Sequence, residues 1–267
     1  MVMPLNLVLV RHGQSEANVI QKRVKEDRSY ELPNEFINRH DSLTRLSALG
    51  VEQAVAAGEW LRNNKLSAFN HYYTSPHIRA CETAVHLNLD GQWLKDDRWR
   101  ERDWGEYGIV NEAVREKIYP HSRNLKSLNE WYWCPPGGES LATGVTGRFI
   151  NILDTMHREA GNQNFIAVTH GETIRVAQFV LERQTPAEWT EVDENPDYKI
   201  ENTQILHYSR INPETGEVSD KIHWRRSICP WDETKSWNNG EWAFFDRYSY
   251  SNEQLLEGVN KIPRLLA

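Results

Sequence analysis

A short apolar run that breaks off at a basic pair constrains this chain more than any other stretch. Residues 7–10 (Leu7-Val8-Leu9-Val10) have the length and β-branched content of a strand buried on both faces. Arg11, His12 and Gly13 follow at once, and glycine at such a point marks a turn. The arrangement recurs where residues 164–169 (NFIAVT) end in His170-Gly171, ahead of a helical pattern with Ile174, Ala177 and Leu181. Between the two, residues 71–74 (HYYT) read as another strand. They lead through Ser75 as N-cap and Pro76 at the first helical position into a helix with Ile78, Val85 and Leu89 as its buried stripe. That helix carries Arg79 within its first turn or just beyond.

The remaining chain fits the same alternation. Ser47 caps a helix running to about Asn63, with Ala54, Gly58 and Leu61 on one face, and Ser140 caps another with Val145, Phe149, Ile152, Leu153 and Met156. Residues 205–208 and 222–228 read as hairpin partners across a turn at 213–216, and 253–260 as a last helix. Residues 19–41 read as a long charged loop with one short helix, 93–108 as a solvated aromatic loop, and 111–133 as a helical excursion. Strands alternating with helices indicate an α/β fold with a mainly parallel central sheet, whose ligands bind beyond the carboxyl ends of the strands. We expect one domain over residues 1–267, with insertions at about 19–41 and 111–133 and a C-terminal extension at about 205–267.

Composition narrows the function classes. A formal net charge of −7 argues against nucleic acid as the main partner, because a phosphate backbone is met by a broad basic face. Cys81, Cys134 and Cys229 are odd in number and form no CxxC pair, so neither a disulfide framework nor a zinc knuckle is indicated, which fits a reducing cytoplasm. The N-terminal apolar run is far shorter than a membrane span, so no membrane association is expected. A homodimer is left open.

Three strand ends therefore bring Arg11, His12, His170 and Arg79 to one edge. Like charges in a partly dry pocket repel unless they meet an anion, and arginine forks match phosphoryl oxygens. A phosphorylated small molecule is the expected ligand. Nearby positive charge should keep His12 neutral and able to attack phosphorus. A leaving alkoxide needs a proton from a carboxylic acid, for which Glu101, Glu106 and Asp103 all stand in the aromatic loop, Glu101 best placed. The other eight histidines, His77 among them, read as packing or surface residues. No HExxH or comparable ligand spacing points to a metal. Arg23, Arg39, Arg102 and Arg123 are candidates for a second negative group, although surface charge is the simpler reading of each.

At these residues the sequence resembles the histidine phosphatase superfamily, in the branch of cofactor-dependent phosphoglycerate mutase and its phosphatase relatives. The resemblance is carried by LVRHGQSEAN (residues 9–18), LTRLSALGVEQA (43–54), YTSPHIRACETA (73–84), RERDWGEYG (100–108), PGGES (136–140) and VTHGETIR (168–175). It implies a three-layer α/β/α sandwich without metal or other cofactor. It further implies His12 as the nucleophile that forms a phosphohistidine, with Arg11, Arg79 and His170 holding phosphoryl oxygens. Asn18 and the Gly171 backbone are implied as further phosphate contacts, and Glu101 as proton donor. Where the mutase pattern has histidine-tyrosine after Glu-Arg, this chain has Asp103-Trp104, and residues 19–41 exceed what a mutase has; both departures favour a phosphatase.

Overall fold

The structure, a computed structural model, describes residues 2–27, 29–108, 117–246 and 249–266. Its strands are β1 (Asn6–Arg11), β2 (His71–Thr74), β3 (Trp93–Lys95), β4 (Asn164–Thr169), β5 (Ile205–Ser209), β6 (Trp224–Ile228) and β7 (Ala243–Phe244). The helices are α1 (Glu16–Glu26), α2 (Asn34–Ile37), α3 (Ala48–Asn63), α4 (Ile78–His86) and α5 (Ser122–Leu128). They continue with α6 (Thr146–Glu159), α7 (Gly171–Glu182), α8 (Pro186–Glu194) and α9 (Asn252–Asn260).

All seven strands lie in one sheet, in the order β3-β2-β4-β1-β5-β6-β7. The first four run parallel and carry the strand ends singled out above; β5 to β7 pair antiparallel. The change follows from the connections. A turn through Gly216, with φ +75°, closes the link between β5 and β6, whereas a crossover is needed to return a parallel strand. The segment from residue 205 onward thus extends the central sheet.

Side-chain alternation divides the core into two layers. Leu7, Leu9, Phe165 and Ala167 meet Phe149, Ile152 and Met156 of α6 and Ile174 and Ala177 of α7. Val8, Val10, Ile166 and Val168 meet Ala57 and Leu61 of α3 and Ala80 and Ala84 of α4. The result is the expected α/β/α sandwich. The chain leaving β1 therefore goes to one face and the chain leaving β4 to the other. Neighbouring strands whose connections diverge open a crevice at their carboxyl ends.

Three local expectations change. Helix α4 starts at Ile78, because Ser75 spends its hydroxyl on His170 (2.8 Å) and on the His77 N–H (3.3 Å), and His77 takes the cap position. Its buried stripe is Arg79, Ala80, Thr83 and Ala84, and Val85 is 71% exposed. A helix begins at Glu16 rather than within a long loop, since Ser15 and Asn18 form a reciprocal capping box. Residues 93–108 are no simple solvated loop, for they add edge strand β3 and bury Trp99 completely. Residues 109–116, which include the start of the excursion expected at 111–133, lie outside the described residues. No helix among the described residues is long and apolar enough to cross a membrane.

Helix α3 is docked onto the turn after His12 by two glycines. A Cβ at Gly13 would stand 2.4 Å from the Gly50 carbonyl, and one at Gly50 would stand 2.0 Å from the Gln14 carbonyl. Backbone cannot yield as a flexible side chain does, so Gly50→Ala should cost about 1–3 kcal/mol in chemical denaturation. Gly147→Ala on α6, where an added Cβ meets nothing within 4 Å, should instead be neutral or stabilising by up to about 1 kcal/mol. Equal stabilities for the two variants would refute the close-approach explanation.

Candidate active site

The register of β1 and β4 builds the centre. Arg11 lies opposite Thr169, and the His12 N–H bonds the Thr169 carbonyl at 2.9 Å, so the next residue of each chain reaches the sheet edge at one height. The rings of His12 and His170 meet edge to face with centroids 5.1 Å apart. Arg79 arrives from the first turn of α4, its Nε 3.3 Å from His12 Nε2. Arg11 donates from Nη1 to the Ile200 carbonyl at 2.6 Å, and Gly171 lies beside it, a Cβ there falling 3.6 Å from Arg11 Nε.

Hydrogen bonding selects the tautomer of His12. Its Nδ1 lies 2.7 Å from the Gly13 carbonyl, which can only accept, so Nδ1 carries the proton and Nε2 keeps a lone pair. Burial, then the charges of Arg79 and Arg11, hold His12 well below the usual histidine range. Burial and Arg79 likewise keep His170 neutral. Three buried nitrogens around the centre, Arg11 Nε, His77 Nδ1 and His170 Nδ1, have no hydrogen-bond partner. Of these, Arg11 Nε is a donor in every state, and an unpartnered buried donor is costly unless an acceptor meets it.

Glu101 approaches on the loop after β3, and that loop is braced from behind. Thr169 Oγ1 donates to the Trp99 carbonyl (2.6 Å), Thr173 Oγ1 to the Arg100 carbonyl (2.9 Å), and Arg148 Nη1 to the Arg98 carbonyl (2.8 Å). Glu139, from the PGGES stretch, ties Arg148 (2.9 Å), Arg100 (2.6 Å) and the Asp103 N–H (3.1 Å) together. Burial raises the Glu101 carboxyl above its ordinary value, against the Arg102 N–H it accepts at 3.0 Å and the charges of Arg79 and Arg11. A carboxyl with a raised pKa and a neutral imidazole in one site have the properties that a proton donor and a nucleophile require.

The other expected residues divide. Asn18 uses Oδ1 to cap α1 through the Ser15 N–H (3.1 Å) and also accepts from Asn202 Nδ2 (3.3 Å), which leaves its own Nδ2 for a ligand. Arg102, weighed above as a surface charge or a second anion contact, is only 2% exposed; it donates to the Glu139 and Trp133 carbonyls (2.8 and 2.9 Å) and stacks on Trp104. Arg39 pairs with Glu16 and Arg23 with Tyr30, while the side chain of Arg123 lies outside the described residues. Two functional neighbours escaped the sequence. His77, whose pKa burial and Arg79 lower to about 4, packs its ring 4.8 Å from that of His170. Asp41 bonds Arg79 directly. No local pattern marks either residue; only the Ser-Pro step ahead of His77 hinted at a special turn.

Comparison with known proteins identifies the family. The family description of the histidine phosphatase superfamily (branch 1) matches residues 7–205. Relatives include the 2,3-bisphosphoglycerate-dependent phosphoglycerate mutases of Rhizobium meliloti (strain 1021) and Azorhizobium caulinodans. The first is 30% identical over 185 residues, covering 67% of this chain and 80% of the relative; the second is 32% identical over 189 residues, covering 67% and 82%. Among solved structures, the alpha-ribazole phosphatase from Shigella flexneri superposes with a TM-score of 0.60 at 16% identity, over 81% of this chain and 95% of that one. A mycobacterial glucosyl-3-phosphoglycerate phosphatase complexed with inorganic phosphate gives 0.58 at 24% identity, over 76% and 89%. At such identities these two likenesses speak for the fold. With the family description spanning the strand ends, the acid loop and the second histidine, this chain belongs to the histidine phosphatase superfamily, branch 1.

Proposed function

We propose that this protein is a phosphatase that hydrolyses phosphomonoesters of small molecules through a phosphohistidine on His12, with no metal required. The observation that carries the reading is a neutral His12 whose lone pair sits on Nε2, where it accepts from Arg79 Nε, set among Arg11, Arg79 and His170, together with a buried Glu101 whose carboxyl pKa is raised. In the first half, Nε2 attacks phosphorus in line. The bond to the leaving oxygen breaks, and that oxygen takes the Glu101 proton. In the second half, water attacks the phosphohistidine while the Glu101 carboxylate accepts its proton, and the electron pair of the P–N bond returns to Nε2. Phosphoryl transfer depends mainly on positioning and charge neutralisation, which two buried guanidiniums supply here. Asn18 and the Gly171 backbone complete the phosphate contacts in this reading.

The relatives named as mutases favour a second reading, in which a second hydroxyl rather than water takes the phosphoryl group. Against it stand Asp103-Trp104 beside the acid and the engagement of Arg23, Arg39 and Arg102 elsewhere. Incubation with phosphoglycerates separates the two, free phosphate supporting hydrolysis and isomerisation supporting transfer. The three unpaired cysteines favour a cytoplasmic setting.

His12→Ala should abolish both turnover and an acid-labile phosphoenzyme trapped from the wild type; an acid-stable adduct, or near-normal activity in the variant, would sink the assignment. Glu101→Gln should lose about 10²–10⁴-fold on alkyl phosphates and far less on p-nitrophenyl phosphate, whose leaving group needs little protonation. The active forms are neutral His12, lost as pH falls through its lowered pKa, and protonated Glu101, lost as pH rises through its raised one. The wild-type kcat/KM profile should therefore fall on both sides, and Glu101→Gln should remove the basic limb. A basic limb unchanged in that variant would exclude Glu101 as the acid.

A further inference from the structure

Asp41 enters the site from a segment that supplies none of the groups used so far. It opens the short turn Asp41–Leu43 and turns two oxygens on Arg79. Its backbone carbonyl accepts from Nη1 at 2.7 Å, and its carboxylate Oδ2 accepts from Nη2 at 2.9 Å. Thr44 completes the grip, its Oγ1 accepting from Nη1 at 3.1 Å while donating to the Asp41 carbonyl at 2.9 Å. His77 Nδ1 lies 4.0 Å from the same carboxylate oxygen. The guanidinium is buried, 5% exposed, whereas the carboxylate is 48% exposed and reaches inward from the solvent side.

The consequence rests on the phosphoryl-pocket reading above. Arg79 is assigned there to phosphoryl oxygens, yet its Nη2 is bonded to Asp41, its Nη1 to Asp41 and Thr44, and its Nε to His12. A donor committed to a carboxylate oxygen is not available to a phosphoryl oxygen in the same direction. Two anions drawn to one guanidinium also repel each other.

We propose that Asp41 is a built-in competitor of phosphate: its carboxylate holds Arg79 until a substrate phosphoryl group displaces it, and it thereby sets the affinity for substrate and for inorganic phosphate. The device has two effects of opposite sign. Asp41 compensates a buried cation, so it stabilises the protein. It must also be displaced for binding, so it weakens the hold on phosphate and favours release of the product.

The test is calorimetric titration of wild type, Asp41→Asn and Asp41→Ser with inorganic phosphate and with orthovanadate, alongside thermal melts with and without phosphate. Both variants should bind phosphate about tenfold tighter, a charge-assisted hydrogen bond having been removed from the competing side. Their Tm without phosphate should fall, and the rise on adding phosphate should exceed that of wild type. In turnover, KM should drop and inhibition by phosphate should deepen. Serine, which offers no carbonyl oxygen to Nη2, should shift affinity at least as far as asparagine, and either variant alone suffices. Phosphate binding that is unchanged or weaker would overturn the proposal and make Asp41 a residue that merely positions Arg79. Failure of phosphate and vanadate to bind wild type and variants alike would overturn the phosphoryl-pocket reading, and this inference with it.

Discussion

The parallel pairing of β1 with β4 in a single register is the constraint on which the rest depends. Arg11 opposite Thr169 sends His12 and His170 off the sheet side by side, and a slip of one residue would turn every side chain of the strand to the other face. Slippage is opposed on both sides at once. Leu7 and Leu9 are fully buried in one layer, Val8 and Val10 in the other, so no alternative register keeps the same apolar contacts. The apolar core and the placement of the two histidines are thus one problem with one solution, and the docking of Gly13 against Gly50 extends that rigidity to the turn beyond His12.

Electrostatics makes the crevice a site. Two guanidiniums and three imidazoles crowd a space largely closed to water, and the imidazoles respond by remaining neutral. Neutral histidine suits a nucleophile, while the guanidiniums, which do not give up their protons, must be balanced. The Ile200 carbonyl on Arg11 and Asp41 on Arg79 contribute to the balance. The same burial raises Glu101, so one physical cause moves the carboxyl and the His12 imidazole in opposite directions, each toward its neutral form.

Much of this was legible in the chain because the informative patterns are local. Strand ends followed by His-Gly, the Ser47 cap, the stripe of α6 and the hairpin at residues 213–216 each depend on neighbours a few positions away. The misreadings occurred where a local rule met a distant partner. Ser75 has the right character for an N-cap, yet His170, 95 residues on, takes its hydroxyl, so α4 starts later and Val85 turns outward. Arg102 looked like one charge among many until its guanidinium was found covered by Trp104 and Trp133. Glu139 and Arg148 carry no signal of their own as a brace for the acid loop, because the Arg100 guanidinium that donates to Glu139 and the Arg98 carbonyl that accepts from Arg148 lie 39 and 50 residues away.

The sequence by itself determined the alternation of strands and helices and the convergence of Arg11, His12, Arg79 and His170 at one edge of the sheet. Those conclusions follow from periodicity, turn chemistry and charge, which act over a few residues. Only the tertiary structure decided which nitrogen of His12 keeps its lone pair, how the Glu101 loop is held and its carboxyl pKa raised, and that His77 packs on His170 and Asp41 bonds Arg79. Those properties depend on burial and on partners brought together by the fold, and no stretch of sequence specifies what will shield it from water.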